Sequence, residues 1–113
     1  MGREWLGEFE QVVLLASLRL GEDAYTMAIA DEIERVTARE VSHAAVYVAL
    51  RRMEEKSLVT SCLGDATPAR GGRPKRFFTL LPAGLRALSE SRNALMSLWQ
   101  GLHDPVDGAF RAP

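Results

Sequence analysis

Residues 42–56 of the chain read SHAAVYVALRRMEEK. Ser42 is a residue type that caps helix N-termini by accepting a hydrogen bond from a free backbone N–H. After it, apolar side chains recur at i, i+3, i+4 and i+7, which is the spacing of one helical stripe. The stripe consists of Val46, Ala49, Leu50 and Met53. The stretch therefore predicts a capped helix that packs one face into a core.

The opposite face of this helix carries different chemistry. It presents Ala44, Val48 and Arg51, with Tyr47 and Arg52 on its flanks. Small residues let a helix approach another surface closely, and Tyr and Arg reach phosphates or base edges. An ordinary amphipathic helix with a solvated arginine pair is the alternative, and the helix alone does not separate the two interpretations.

Two helices are predicted before this one. Glu8–Leu20 has an apolar stripe on several sides and ends at Gly21, a residue type common just after helices. Residues 24–36 form the second helix, followed by a connector over residues 37–41. We expect its inward face to carry Tyr25, Ile29, Ile33 and Val36. A short helix, a short connector and a capped helix are typical of a helix-turn-helix.

A β-hairpin is predicted after the helix-turn-helix. Residues 58–63 and 75–80 form its strands, and the segment between them contains three glycines and two prolines, as turns do. Its basic residues could reach a phosphate backbone or a narrow minor groove, although a solvated loop is the alternative. These residues are Arg70, Arg73, Lys75 and Arg76.

Pro82 opens the last helix at a position that tolerates its missing N–H. Apolar residues then recur at heptad-like spacing, which predicts a dimerisation helix, whereas folding back on its own core is the alternative. Its apolar residues include Leu85, Leu88, Leu95, Met96, Trp99 and Leu102, and Trp5 lies in an N-terminal arm that packs on another surface. The predicted organisation is one domain over residues 1–81 that contains the helix-turn-helix and the hairpin, a dimerisation helix over 82–103, and a loose tail over 104–113.

Composition narrows the function class. At 113 residues the chain forms one domain, and no apolar run is long enough to span a membrane. A single cysteine excludes an internal disulfide and fits a cytoplasmic protein. The net charge is −1, yet residues 1–38 hold 3 Lys/Arg against 8 Asp/Glu, whereas residues 39–76 hold 8 against 4. This distribution predicts a positive surface on one side, unless it is a chance fluctuation.

Catalytic and metal chemistry is not expected. The histidines are His43 and His103, and with one cysteine they give no metal-ligand spacing and no nucleophile constellation. We expect no enzyme activity, no cofactor and no metal. Cys62 is predicted to be half-buried in its strand, and Glu54 and Glu55 to be a solvated helix end.

The order helix, helix, helix, basic hairpin, helix is that of a winged helix, and here the sequence resembles the PadR-like family of bacterial transcriptional regulators. The resemblance covers about residues 6–102. It rests on Glu8–Leu20 with Tyr25, on Val46, Tyr47, Leu50, Arg52, Met53 and Glu54, on Leu58 and Val59, and on residues 71–78 with Leu80, Pro82, Ala83 and Gly84. The fold it implies is mainly α with a small β-hairpin: a winged helix-turn-helix plus a C-terminal dimerisation helix.

The resemblance implies a homodimer that binds double-stranded DNA at a palindrome-like operator, usually as a repressor. Carried over by position, Ser42, His43, Tyr47 and Arg51 would face DNA from the third helix, and Arg73, Lys75 and Arg76 from the wing. The alternative function is a winged-helix protein-interaction module without DNA binding. Trp5, Trp99 and the apolar helix faces leave room for a small hydrophobic or aromatic effector between subunits.

The sequence departs from the family pattern at three positions. Ser57 stands where Gly is common after the third helix, so that a left-handed cap there would be absent or strained. Leu81 replaces the usual Thr cap of the last helix, and Phe78 replaces a common Tyr. These departures bear on stability more than on the predicted DNA face.

Overall fold

The described part of the chain contains four α-helices and one β-hairpin in the predicted order. The computed structural model describes residues 5–64 and 74–102. The elements are α1 (Glu8–Leu20), a short 3₁₀ helix (Gly21–Asp23), α2 (Thr26–Thr37), α3 (His43–Glu55), β1 (Val59–Leu63), β2 (Arg76–Leu80) and α4 (Pro82–Trp99). This architecture confirms the predicted winged helix-turn-helix with an additional terminal helix.

The core lies where α1, α2, α3 and the hairpin meet. The predicted stripe of α3 is confirmed, because all four of its residues are buried. Residues from the other elements complete this core, and those whose side chains are large and fully buried are Val13, Leu14, Ile29, Ile33, Val59 and Phe78. Phe78 is fully buried, so the aromatic ring without a hydroxyl leaves no polar atom to satisfy there.

The bounds and inward face of α2 differ from the prediction. The helix begins at Thr26 rather than at residue 24, because Ala24 instead accepts a backbone hydrogen bond from Phe78 of β2 at 2.8 Å. Val36 is 49% exposed, so its predicted inward position is wrong. It lies along an open groove between α1 and α2, beyond the stripe that Ile29 and Ile33 bury.

The helix α3 has a side-chain cap at its start and a left-handed residue after its end. The Ser42 hydroxyl accepts from the N–H of Ala45 at 3.0 Å. Beyond the helix, Ser57 has φ 62°, its N–H donates to the Glu54 carbonyl, and the N–H of Leu58 donates to the Met53 carbonyl. The left-handed cap is therefore present, with a serine in a conformation that favours glycine.

The hairpin strands pair antiparallel, with Ser61 opposite Phe78 and Val59 opposite Leu80. The strand end nearest the core is buried, whereas the end nearest the tip runs past the helices. Cys62 is consequently exposed, which corrects the expected half-buried position. Tyr25 forms an additional antiparallel bridge with Phe77, and their rings meet edge to face.

The two halves of α4 have different environments. Pro82 is at the start of the helix as predicted, and Leu81 provides no side-chain cap. In the first half, Ala87, Leu88 and Ser91 are buried, and the N–H of Leu6 donates to the Ser91 hydroxyl at 3.4 Å. From Arg92 onward the side chains are exposed, apart from half-buried Ala94. The helix therefore belongs to the core over its first half and extends beyond it over the second.

A close backbone approach joins α4 to the start of β1. A Cβ atom on Gly84 would overlap the carbonyl oxygen of Leu58 and lie 3.1 Å from its carbonyl carbon. We expect Gly84→Ala to destabilise the fold by about 3 kcal/mol, because neither backbone can move without disturbing the core. Urea unfolding followed by circular dichroism measures this loss.

The control for Gly84→Ala is Gly7→Ala, also at a helix start, where the nearest atom to an added Cβ lies 3.8 Å away. Its effect should stay within about 1 kcal/mol, the size of a capping change. Equal unfolding midpoints for the two variants would contradict the assigned approach.

A charge cluster links α1 to α2. Arg19 of α1 donates to Glu32 at 2.8 Å, and Arg35 donates to both oxygens of the same carboxylate. The hydrogen bond from Arg35, then that from Arg19, lowers the pKa of Glu32 from 4.5 to about 2. The carboxylate therefore remains charged in the folded protein at pH values where it is protonated in the unfolded chain.

This shift predicts a pH-dependent contribution from Glu32. Because its folded-state pKa is depressed, its stabilisation is fully present above pH 4.5 and is lost as the pH falls towards 2. Glu32→Gln should lower the unfolding midpoint at pH 7 and differ progressively less from wild type below pH 4.5. Urea unfolding across this range measures the difference, with exposed Glu34→Gln on the same helix as control. An effect of Glu32→Gln that is equal at pH 7 and pH 3 would contradict this origin.

Candidate nucleic-acid interface

The outer face of α3 is open to solvent over its whole length. The exposed residues of this face are His43, Ala44, Tyr47, Val48 and Arg51. Ser42 is exposed as well, but its hydroxyl is occupied as the helix cap. The residues predicted to face DNA from this helix thus lie together on one accessible surface.

Tyr47 and Arg51 form a pair on this face. The Nη1 of Arg51 donates to the Tyr47 hydroxyl at 3.0 Å, and the guanidinium carbon lies 5.8 Å from the centre of the ring. The hydrogen bond to Tyr47, followed by the electrostatic effects of Tyr47 and Glu54, raises the pKa of Arg51. A charged guanidinium therefore stands one turn after a phenol on the exposed face of α3.

The base of the wing holds the basic residues Lys75 and Arg76. The Lys75 ammonium lies 3.7 Å from the centre of the Tyr25 ring, in cation–π geometry. Arg76 is half-buried, and its Nη1 donates to the Ser61 hydroxyl at 3.0 Å. Both charges are therefore held against the protein. The predicted contacts Arg70 and Arg73 lie outside the described residues.

Glu54 connects the helix to the wing, which corrects the expectation of a solvated helix end. Its Oε2 accepts from the Ser61 hydroxyl at 2.8 Å, and its Oε1 lies 3.3 Å from the Nε of Arg51. Oε1 is buried, and among residues 5–64 and 74–102 it has no hydrogen-bond partner. Tyr47, Arg51, Glu54, Ser61 and Arg76 form one continuous polar chain, which we name the helix–wing chain.

Sequence reasoning missed Glu54 for a physical reason. The i, i+3 spacing of Arg51 and Glu54 is visible in the sequence and is compatible with an ion pair on a helix. The contact with Ser61, however, depends on how the chain turns after Ser57 and where β1 then runs. A hydroxyl residue in the following strand was the available signal, but it does not by itself indicate a partner.

A second surface, formed by α1 and α4, is apolar and exposed. Leu85, Leu95, Met96, Trp99 and Leu102 are exposed, whereas Leu88 is buried in the core of its own chain and offers little area to a partner. Leu15 and Leu18 of α1 face the same groove of ≈ 460 Å³, which Trp99 also lines. Trp5 is exposed but does not line this groove.

Within residues 5–64 and 74–102, no helix combines the length and apolar character required to cross a lipid bilayer. This part of the chain also contains no group of three or more His, Cys, Asp or Glu side chains placed to hold a metal ion.

The comparison with known families identifies one match. The model of the transcriptional regulator PadR-like family matches residues 14–90, about two thirds of the chain. This range includes all of α2, α3 and the hairpin strands, together with the second half of α1 and the first half of α4. A search of curated proteins found no significant match.

Solved structures share the fold. A PadR family transcriptional regulator from Eggerthella lenta superposes with a TM-score of 0.65 at 24% identity, covering 83% of this chain and 81% of its own. A transcriptional regulator from Clostridium thermocellum gives 0.67 at 16% identity, covering 80% and 85%. A PadR family regulator from Clostridium difficile gives 0.59 at 23% identity, covering 78% and 88%.

Proposed function

Because the chain belongs to the PadR-like family of transcriptional regulators, we propose that it is a repressor that binds a palindrome-like operator as a homodimer. In this proposal α3 enters the major groove and the wing contacts the neighbouring backbone or minor groove. The family is one of regulators rather than enzymes. A regulator of this kind acts in the bacterial cytoplasm, where the DNA is.

The observation that carries the DNA-binding proposal is the exposed face of α3 beside the base of the wing. Ala44 and Val48 are small or medium-sized and exposed, so the helix can approach another surface closely. Tyr47 and Arg51 then present a hydroxyl and a guanidinium group from the next turns. Lys75 and Arg76 add two positive charges on the hairpin, which favour a polyanion.

The homodimer proposal is supported by the second half of α4. Leu98 is 74% exposed, and Met96, Trp99 and Leu102 are exposed near it. A monomer rarely leaves so many large apolar side chains in contact with water. A symmetric dimer through α1 and α4 would cover part of this surface and place two α3 helices about one DNA turn apart, roughly 10 bp.

The same surface supports an effector site as part of the proposal. The groove between α1 and α4 of one chain is apolar and has Trp99 on its wall. A small hydrophobic or aromatic molecule would fit such a lining once a second subunit closed it. Trp5 would belong to this site only through the partner subunit or a rearranged arm.

Arg51→Ala tests the DNA-binding proposal. We expect the affinity for the operator to fall about tenfold or more, because one guanidinium contact is removed. The slope of log affinity against log salt concentration should become shallower by about one for the same reason. Fluorescence anisotropy with DNA from the gene's own upstream region, at two salt concentrations, measures both quantities. Arg86→Ala is the matched control, since it removes the same charge from an exposed position on α4.

Equal operator affinities for Arg51→Ala and Arg86→Ala would contradict the proposed position of α3 in the DNA interface. If the folded wild-type protein binds neither its upstream DNA nor genomic-library DNA at low salt, the DNA proposal fails. The protein-interaction module is then favoured, and a complex that survives replacement of Arg51, Arg73 and Arg76 with Ala would support it.

Met96→Glu tests the homodimer. Placing a charge in the apolar face of α4 should weaken self-association about 100-fold or more, because the carboxylate would have to leave water. Sedimentation velocity over a concentration series measures the shift from dimer to monomer. Ser97→Glu is the control, because Ser97 lies on the polar side of α4 with Glu90. A wild-type protein that stays monomeric at high micromolar concentration would contradict the proposal.

A further inference from the structure

We propose that Glu54 is a positioning residue that determines how strongly the protein prefers its operator over other DNA. This inference rests on the proposed DNA-binding function and adds a specific role for an acidic side chain within a basic surface. It starts from the helix–wing chain, in which Glu54 contacts both Arg51 and Ser61.

The first step concerns the orientation of Arg51. Its Nη1 is held by the Tyr47 hydroxyl, and its Nε lies beside Glu54. A guanidinium that has contacts at two of its three nitrogens is held in one orientation, and its Nη2 N–H groups then point in a fixed direction. Bidentate recognition of a base or phosphate needs such a fixed direction, and the entropy cost of ordering the side chain is then met before DNA binds. Glu54 therefore favours contacts that match this geometry.

The second step concerns the wing. Ser61 donates to Glu54 and accepts from Arg76, so one hydroxyl links an acidic residue of α3 to a basic residue of β2. Operator recognition requires the helix and the wing to contact neighbouring parts of the duplex at the same time. The link fixes the spacing of the two basic groups, whereas non-specific binding to phosphates needs no fixed spacing.

The third step concerns charge. Glu54 is an acidic group between Arg51 and Arg76, so it lowers the general attraction of this surface for phosphates. Its Oε1 lies 3.3 Å from Nε of Arg51, as an ion pair between two partly exposed side chains, and such pairs contribute little to stability. The arrangement is therefore more consistent with a role in recognition than with a large contribution to folding.

Glu55 provides a matched control. It follows Glu54 in the last turn of α3 and is exposed. Glu54→Gln and Glu55→Gln remove the same charge from consecutive residues in the last turn of α3. A difference between them therefore reports the position of Glu54 within the chain of contacts, not the net charge of the protein.

The experiment measures the affinity of each variant for the operator fragment and for a shuffled fragment of the same length. For Glu55→Gln we expect both affinities to rise by a similar factor, which leaves their ratio unchanged. Glu54→Gln should bind the shuffled fragment at least as tightly as Glu55→Gln does. Its ratio of operator affinity to shuffled-fragment affinity should fall about tenfold, as expected when a charged hydrogen-bond partner is removed.

Ser61→Ala is the second variant, because it breaks the link between Glu54 and Arg76 and leaves every charge in place. Its ratio should fall about threefold while the salt dependence on shuffled DNA stays that of wild type. This variant carries the test if Glu54→Gln does not fold. A smaller folded fraction lowers both affinities by the same factor, so the ratio does not respond to a purely structural defect.

The outcomes separate this inference from the proposed function. If wild type prefers the operator and Glu54→Gln keeps the same ratio as Glu55→Gln, Glu54 does not position the interface and only this inference is overturned. If Glu54→Gln does not fold and Ser61→Ala keeps the wild-type ratio of operator affinity to shuffled-fragment affinity, the inference is likewise overturned. If wild type binds both fragments alike or neither, the proposed operator function fails, and the inference fails with it.

Discussion

The arrangement of this fold depends on the backbone of one residue, Leu58. Its N–H donates to the Met53 carbonyl at the end of α3, and its carbonyl accepts from the N–H of Leu81 at 2.9 Å. The same carbonyl is the group that leaves no space for a side chain at Gly84. Three elements therefore meet at one buried residue: the end of α3, the start of β1 and the start of α4. Because both backbone polar groups of this residue are hydrogen-bonded, the direction of the hairpin relative to α3 is fixed as well.

This junction explains how a polar chain can extend from the helix to the wing. The left-handed conformation of Ser57 reverses the backbone after α3, and β1 then returns past the last turn of the helix. Ser61 is brought beside Glu54 as a result, although the two are seven positions apart in the sequence. The reversal costs energy in a serine, which lacks the conformational freedom of glycine, and the hydrogen bonds of the cap offset that cost.

Much of the fold could be predicted from the sequence because local rules and the global fold agree. The bounds of α1, the Ser42 cap and the buried stripe of α3 all follow from helical spacing and capping chemistry. The predictions that failed concern the limits of the core, which periodicity does not define. Val36 continues the inward pattern of α2 but lies beyond the residues that α1 covers, and Cys62 lies where the sheet extends past the helices. Glu54 was misread because its partners come from a separate element.

The two halves of α4 show the same limit of prediction from periodicity, and they connect the fold to the proposed dimer. Heptad-like spacing runs through the helix, yet Leu88 is buried within its own chain whereas Leu95 is exposed. The interpretation of a helix that folds back on its own core therefore holds for the first turns of α4, and the exposed later turns are those that the proposed dimer would use. Because the first half is anchored through Gly84 and Ser91, the exposed half has a fixed direction relative to α3. A dimer formed through that half would consequently inherit a defined separation between its two recognition helices, which is the geometric requirement for reading a symmetric site.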